Sequence, residues 1–162
     1  MVINHISFLS PLGWLSIFEE SHKLIAVEIG KSPISHENPT LLKAKELLLE
    51  YFSKSRQGFG IPINPEGSEF QLAVWREILK VPYGKTQTYG SIATTLKTSP
   101  RAVGTACGKN PLPFFIPCHR IIGAGKSIGG FSFGLKEKTK LYLLRLEATS
   151  INDIKRYDKA KE

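Results

Sequence analysis

A cysteine, a histidine and an arginine follow one another in the segment 115–122, which reads Phe-Ile-Pro-Cys-His-Arg-Ile-Ile. A thiol is a nucleophile only as the thiolate, and a nearby histidine or arginine commonly lowers its pKa. Pro117 fixes its own φ and disfavours a helical conformation in the residue before it, so stiff backbone presents the thiol. The segment predicts that Cys118 is the reactive group, with His119 and Arg120 beside it.

The overall composition is that of an ordinary globular protein. The 162 residues, 41% hydrophobic and 22% charged, are enough for one or two small domains. Two cysteines are too few for a disulfide framework, and no Cys/His spacing suits zinc, so we expect neither a metal nor a cofactor. Without a membrane-length apolar run or a signal-like N-terminus, a cytoplasmic protein with no membrane partner is expected.

The charge is distributed unevenly along the chain. Residues 1–64 hold six Lys/Arg and six Asp/Glu, whereas residues 65–162 hold sixteen and eight, which accounts for the whole net charge of +8. A basic excess confined to the half that contains Cys118 favours a polyanionic partner. A solubilising surface is the alternative that the charge alone leaves open.

The N-terminal third has the pattern of a small sheet with one helix. Alternating and apolar runs predict three strands, the third apolar enough to be central, at residues 2–8, 13–19 and 24–29. Asn38-Pro39 is a helix start, and an apolar stripe of Leu41, Ala44, Leu48 and Phe52 follows.

The segment 55–67 is rich in glycine, proline and serine and predicts a domain boundary. We therefore expect an α/β domain over 1–64, a second domain over 65–150 and a tail over 151–162.

The second domain is predicted to be mostly helical. Ser68 to Gln71 has the form of a capping box for a helix that ends near Leu79. Thr88 caps a short helix, and Ser99-Pro100 starts another that ends near 109–110, so the pair is a helix-turn-helix candidate. Taken by itself, Tyr89 on the apolar stripe of the first short helix is a core residue.

The second short helix has an outer face formed by Arg101, Gly104, Thr105 and Gly108. Each glycine inside a helix costs about 1 kcal/mol relative to alanine, which favours a large partner, such as a phosphodiester backbone, close to the helix. Tight helix–helix packing is the alternative.

Two further segments complete the candidate site. Residues 123–134 form a glycine-rich stretch whose backbone N–H groups and aromatic side chains, Phe131 and Phe133, suit a pocket wall that stacks on a planar ring. A flexible surface hairpin is the alternative. In the last helix, predicted over 135–146, Glu147 shares a face with Leu143 and Leu144, and a carboxylate near a helix C-terminus calls for a specific partner.

Three motifs in one ordered run resemble the O6-alkylguanine-DNA alkyltransferases, or methylated-DNA–protein-cysteine methyltransferases. They are Arg-Ala-Val-Gly at 101–104, Asn-Pro-Leu-Pro at 110–113 and Ile-Pro-Cys-His-Arg at 116–120, and the resemblance covers roughly 68–147. It implies a ribonuclease-H-like N-terminal α/β domain and a mostly α C-terminal domain with a winged-helix-like helix-turn-helix. The implied partner of a monomeric protein is double-stranded DNA containing O6-alkylguanine, with O4-alkylthymine as a second candidate lesion.

The resemblance also implies single-turnover repair, in which an alkyl group passes irreversibly from a base flipped out through the minor groove to a cysteine. The implied chemical roles are Cys118 as acceptor, His119 and Glu147 as a water-linked relay, and Tyr89 as the proton donor to guanine. Asn110 is implied to be a hinge, and Arg101 the side chain inserted into the duplex. The implied contacts to the base are Ser132, at O6, and the backbone of Ile121; further DNA or substrate contacts are Gly104, Thr105, Arg120 and Phe131.

Several expectations remain open at this level. If the segment around Cys118 is extended, neighbouring side chains point to opposite faces, so a water must link Cys118 to His119. Cys107, without an imidazole beside it, is expected to be a small packing residue. Phe133 is expected to narrow the pocket. The alternative functions are a lesion-recognising or regulatory DNA-binding protein without transfer, and a cysteine hydrolase.

Overall fold

The computed structural model describes residues 2–125 and 127–148, together with Lys155 and Tyr157. The chain forms two compact units. The first unit comprises the residues up to Glu66 together with Pro111–Phe115, and the second comprises Gly67–Asn110 and the chain from Ile116 onward. Most of the segment predicted as a tail lies outside the described residues.

The first unit contains a three-stranded antiparallel sheet with the strands in the order β1 (Ile3–Ser10), β2 (Gly13–Glu20) and β3 (Lys23–Ile29). The three predicted strands are present, but the prediction that the third is central is wrong, because β2 is central. The free edge of β3 is covered within the unit: Leu24 exchanges backbone hydrogen bonds with Pro62 and Asn64, and the Val27 N–H donates to the Pro111 carbonyl. This cover accounts for the apolar character of an edge strand.

A single helix in this unit, α1 (Pro39–Phe52), packs on the sheet. Asn38 caps it, because its side chain accepts a hydrogen bond from the Leu41 N–H at 2.9 Å, as the sequence predicts. The predicted stripe is buried, and Leu47 and Tyr51 join it. The buried carboxylate of Glu19 fixes the start of this helix, since it accepts a hydrogen bond from the Asn38 amide at 2.5 Å.

The five residues Pro111–Phe115 complete the core of the first unit. Leu112, Phe114 and Phe115 are buried, and the ring of Phe114 lies 5.4 Å from that of Phe52. Phe114 has a φ of +74°, a conformation rarely adopted by residues other than glycine. Packing of its ring therefore holds the backbone in an unfavourable conformation at this point.

Between residues 67 and 148, where all residues but one are described, the second unit contains four α-helices, each starting close to its predicted position. They are α2 (Glu69–Leu79), α3 (Tyr89–Leu96), α4 (Pro100–Gly108) and α5 (Glu137–Glu147). Ser68, Thr88 and Ser99 accept backbone hydrogen bonds as N-caps of the first three, and the capping box at Ser68 is confirmed.

The connections within the second unit place the reactive segment. The backbone turns tightly between α3 and α4 at Lys97, which has a φ of +56°, and the Trp75 indole of α2 donates to the Ala106 carbonyl of α4 at 3.0 Å. A 3₁₀ turn at Cys118–Arg120 leads directly into β5 (Ile121–Ile122), which pairs in parallel with β4 (Gln87–Thr88). Ile122 packs in a buried cluster with Leu141, Leu144 and Tyr157.

Candidate active site

The Cys118 thiol lies at a pocket of about 430 Å³ within the second unit. Three segments supply the walls: the start of α3, one side of α4 and the glycine-rich stretch before α5. The lining residues are Tyr89, Pro100, Gly104, Cys107, Gly108, Cys118, Gly130, Phe131 and Ser132. The predicted pocket wall is therefore present at Phe131 and Ser132, whereas Phe133 is not among the lining residues.

Asn110 holds the Cys118 thiol in place. Its side-chain amide donates to the Ile116 carbonyl at 2.8 Å and to the Cys118 sulfur at 3.1 Å. The chain leaves the second unit after Asn110 and re-enters it at Ile116, so this amide joins the two ends of the excursion. A hydrogen bond to sulfur also favours the thiolate.

His119 and Glu147 are joined directly in the interior. The Nε2 atom of His119 lies 2.6 Å from Oε2 of Glu147, and the two side chains are almost fully buried. The other ring nitrogen, Nδ1, is buried and has no hydrogen-bond partner among the described residues. With Nε2–H donating to the carboxylate, Nδ1 carries the free lone pair and can accept a proton.

Arg120 belongs to the same buried network. Its guanidinium donates to both oxygens of Glu147, at 2.8 and 3.1 Å, and to the Val81 carbonyl at 2.8 Å. The guanidinium is buried and its donors point at Glu147 and Val81, so the structure does not bring Arg120 to the surface as the predicted DNA contact. The condition of an extended segment, from which the sequence argument for a linking water starts, is not met, because residues 118–120 form a 3₁₀ turn.

Burial and charge set the protonation states of this network. Burial acts to raise the pKa of Glu147, but His119 and Arg120 outweigh it and hold that pKa well below its usual range. Burial lowers the pKa of His119 and the carboxylate opposes this effect only in part, so the ring is neutral near pH 7. The site thus contains a carboxylate paired with a neutral imidazole, which is the arrangement of a general base.

The thiol itself is protonated in this state. Burial raises the pKa of Cys118 well above its ordinary value, and Cys107 acts in the same direction; the Asn110 hydrogen bond and the charge of Lys140 oppose them. The simple expectation that His119 and Arg120 make a standing thiolate is therefore not met. The proton must leave when the substrate is in place.

A buried lysine, which the sequence reading missed, lies beneath Tyr89. The ammonium of Lys140 donates to the Tyr89 hydroxyl at 3.1 Å and to the carbonyls of Ile121 and Gly130 at 2.5 and 3.1 Å. Burial lowers the pKa of Lys140 to about 8. The signal was available, because Lys140 precedes Leu143, Leu144 and Glu147 by three, four and seven residues and so shares their buried stripe.

Tyr89 is a pocket residue and not part of the core, in contrast to the reading of its stripe alone. Its hydroxyl lies 3.4 Å from the Gly130 carbonyl, and burial raises the pKa of the phenol. Gly129 gives the ring its space: it has a φ of +76°, and a Cβ there would lie 2.6 Å from the Tyr89 ring. The Tyr89 hydroxyl is accordingly a neutral donor fixed at the pocket by Lys140.

The predicted outer face of α4 is available to a partner. Arg101 and Thr105 are exposed. A Cβ on Gly108 would meet nothing within 4 Å, and one on Gly104 would make only an ordinary contact at 3.8 Å with Tyr89. Packing inside the protein therefore does not require glycine at either position, which disfavours the helix-packing alternative.

The remaining predicted contacts differ in placement. Ser132 is exposed at the pocket, and its hydroxyl donates to the Gly108 carbonyl at 3.1 Å. Ile121 is buried and is not brought to the pocket: its N–H donates to the Cys118 carbonyl, and its own carbonyl accepts from Lys140. Cys107, expected to serve only in packing, lines the pocket instead.

Two negative observations concern the described residues alone. No three His, Cys, Asp or Glu side chains among them come together as a metal site. No helix that they form is long and apolar enough to cross a membrane.

The fold and the site define a protein of two compact units with a buried cysteine at a pocket and a histidine–carboxylate pair beside it. Residues 69–149 match the family model described as 6-O-methylguanine DNA methyltransferase, DNA binding domain. The chain is 34% identical over 157 residues to the constitutive methylated-DNA–protein-cysteine methyltransferase of Bacillus subtilis, covering 89% of this chain and 94% of the relative. It is 37% identical over 152 residues to the methylated-DNA–protein-cysteine methyltransferase of Methanosarcina acetivorans, covering 88% and 96%.

Solved structures give the same result. The structure of Mycobacterium tuberculosis OGT in complex with DNA has a TM-score of 0.79 at 30% identity and covers 95% of this chain and 99% of its own. A structure of the O6-methylguanine methyltransferase of the same organism has a TM-score of 0.76 at 32% identity, covering 90% and 93%. This chain belongs to the methylated-DNA–protein-cysteine methyltransferase family.

Proposed function

We propose that this protein repairs DNA by moving an alkyl group from O6 of guanine to its own Cys118, once per molecule. The observation that carries the proposal is the Cys118 thiol at a pocket large enough for a purine, with the buried pair of His119 and Glu147 beside it. The family relationship supports the same reaction. A methylated-DNA–protein-cysteine methyltransferase of this kind is used up by its substrate.

The first step of the proposed reaction is removal of the thiol proton. Nδ1 of His119 takes it through a bridging water, and the ionised Glu147 stabilises the imidazolium that results. Asn110 stabilises the thiolate through its hydrogen bond to sulfur. Arg120 acts as a positioning residue, because it fixes Glu147 and keeps it ionised.

In the second step the thiolate displaces guanine from the alkyl carbon. The sulfur–carbon bond forms as the carbon–O6 bond breaks, and the electron pair of the broken bond passes to the guanine. Tyr89 gives its hydroxyl proton to the departing base and receives one from Lys140, which donates to it at 3.1 Å. No water attacks the thioether product, so the protein cannot turn over.

The base has to leave the helix before the sulfur can reach it. Base flipping costs a few kcal/mol, and an inserted side chain together with phosphate contacts can offset this cost. Arg101, in the first turn of α4 and exposed, is proposed to enter the duplex, while Gly104, Thr105 and Gly108 allow the backbone of α4 to approach it. Phe131 and Ser132 are proposed to hold the flipped base.

Further parts of the proposal concern the folds of the two units, the location and oligomeric state of the protein, and the role of Asn110. The first unit is proposed to be a ribonuclease-H-like domain, and the second a winged-helix-like one. The protein is proposed to act as a cytoplasmic monomer on double-stranded DNA that carries O6-alkylguanine. Asn110 is proposed to be a hinge between the recognition helix α4 and Cys118.

One experiment tests the central proposal. The purified chain is incubated with DNA containing O6-methylguanine, and its intact mass is measured. One equivalent of protein is expected to gain the mass of a single methylene, on the peptide that contains Cys118. Cys118→Ala is expected to bind the same duplex without a change in mass. Transfer that persists in Cys118→Ala would make Cys107 the acceptor, and turnover beyond one equivalent would favour the hydrolase.

A further inference from the structure

The two cysteines of the sequence meet in one pocket. Cys118 begins the 3₁₀ turn and Cys107 is the second-last residue of α4, and both line the cavity of about 430 Å³. The two thiols are close enough to act on each other's pKa. Alkyl transfer uses the thiol of Cys118 only and gives no role to the thiol of Cys107.

The two thiols differ in their access to solvent. Cys107 is half-buried, whereas Cys118 is 4% exposed. The interaction with Cys118 lowers the pKa of Cys107, and the charge of Lys140 acts in the same direction. A partly exposed thiol with enhanced thiolate character is the kind that reacts first with peroxides.

We propose that Cys107 and Cys118 form a reversible disulfide under oxidation by peroxide, and that this bond protects the single-use thiol. Both side chains line the same pocket and interact with each other, so the two sulfur atoms belong to one site. A disulfide in a reducing compartment is ordinarily transient and redox-sensing, which suits a bond that must open again before repair.

The reaction balances with one peroxide. The Cys107 thiolate attacks a peroxide oxygen, the O–O bond breaks, and one water leaves, giving a sulfenic acid. The Cys118 sulfur then attacks the Cys107 sulfur, the S–O bond breaks, and a second water leaves as the S–S bond forms. Two thiols and one hydrogen peroxide thus give one disulfide and two waters. A dithiol reverses the step by thiol–disulfide exchange.

The proposed disulfide would protect Cys118 from irreversible oxidation. A cysteine sulfenic acid that meets further peroxide is oxidised to sulfinic and sulfonic acids, which dithiols do not reduce. Attack by the Cys118 sulfur on the Cys107 sulfenic acid stops this sequence and leaves Cys118 in a bond that a dithiol can open. The loss of repair in the oxidised form rests on the proposed function, whereas the bond itself does not.

The test uses the full chain and a matched variant, Cys107→Ser. After treatment with hydrogen peroxide, the unreduced wild-type protein is expected to lose the mass of two hydrogen atoms as a monomer. It should retain no thiol that reacts with iodoacetamide, and it should yield a linked peptide containing both cysteines. Dithiothreitol should restore both thiols and the capacity to accept a methyl group. The Cys107→Ser protein should instead gain the mass of oxygen atoms at Cys118, and dithiothreitol should not remove a second or third oxygen.

The outcomes separate the two proposals. Oxygen added to Cys118 in the wild-type protein as readily as in Cys107→Ser, without loss of hydrogen, would overturn the disulfide. A disulfide that links two molecules would overturn it as well. If the linked peptide forms but the reduced protein accepts no methyl group, the proposed function fails and the disulfide stands. If the reduced protein accepts the group but never forms the bond, only the disulfide fails.

Discussion

The first unit buries Glu19 and the second buries Glu147, each about 2% exposed, but the partners of the two carboxylates differ. Glu19 accepts from the side-chain amides of Asn4 and Asn38 and from the His22 backbone N–H. Glu147 accepts from the guanidinium of Arg120 and lies 2.6 Å from the imidazole of His119. The groups hydrogen-bonded to Glu19 do not titrate, and the His22 imidazole acts on it only through its charge, whereas Glu147 is in direct contact with an imidazole, which titrates.

The directions of the pKa shifts do not distinguish the carboxylate of Glu19 from that of Glu147. Burial acts to raise both values, and the partners outweigh burial so that both are lowered. The chemistry of the partners is what distinguishes a carboxylate that fixes a helix start from one that can support proton transfer. A lowered pKa in a buried acid is thus insufficient evidence of a catalytic role.

Glu147→Gln should have the largest effect. It removes the charge that stabilises protonated His119, so the rate constant of methyl transfer should fall by about 10²- to 10⁴-fold. It also leaves the Arg120 guanidinium buried without a counter-charge, which should cost about 3–5 kcal/mol of unfolding free energy. Single-turnover mass measurements and urea denaturation give the two quantities.

A double variant keeps this prediction testable if Glu147→Gln does not fold. Combining it with Arg120→Met removes the unpaired charge, so stability should return while the transfer rate stays low. A double variant that transferred at the wild-type rate would show that Glu147 serves only as the counter-charge of Arg120.

Lys140→Met extends the comparison to a buried basic group. Lys140 lies on the same helix as Glu147, and its charge has the opposite sign. Loss of the contact with Tyr89 should slow transfer by roughly 10²-fold, the lower end of the range for acid–base groups. The pKa of Lys140 falls from 10.5 to about 8 on folding. Between these values the unfolded chain binds more protons, so this lysine's contribution to stability increases as pH rises.

The pH effect is measured as a difference between wild type and Lys140→Met, because Tyr89, Cys107, Cys118 and Glu137 also act on or near this lysine. Between about pH 8 and 10.5, the free energy of unfolding of the wild-type protein should rise relative to that of the variant, by up to about 3 kcal/mol. A difference that stays constant over this interval would contradict a neutralised Lys140.

Glu19→Gln should have the smallest effect and is the matched control for Glu147→Gln. Its amide can replace only part of the acceptor capacity of the carboxylate, so about 1–3 kcal/mol of unfolding free energy should be lost. The transfer rate constant of the folded protein should not change. A fall comparable to that of Glu147→Gln would mean that the contrast between titrating and non-titrating partners is wrong.

The parts of this protein that the sequence predicts best are those with local causes. Asn38-Pro39, the capping box at Ser68 and Ser99-Pro100 each determine a helix start through hydrogen bonds within four residues. The position of Cys118 at a pocket agrees with the sequence, while its reactive role stays a prediction. The sequence also predicts a specific partner for Glu147 at the end of its helix, and His119 is such a partner.

The features missed depend on contacts distant in sequence. The central position of β2 depends on what covers β3, and the direction of Arg120 depends on Glu147, 27 residues away. Lys140 lay on the correct stripe, but a lysine is ordinarily exposed, and only Tyr89, Ile121 and Gly130 together explain its burial. The meeting of Cys107 and Cys118 likewise depends on the turn of the chain between them.

The short segment Pro111–Phe115 has a consequence for how this chain can be taken apart. The chain passes between the two units three times, after residues 66, 110 and 115, so no single cut separates them. A fragment starting at residue 67 would carry Leu112, Phe114 and Phe115, whose core it had lost. The alkyl-accepting unit is therefore not a detachable module, and any protein tag or sensor built from it has to retain the N-terminal unit or redesign these five residues.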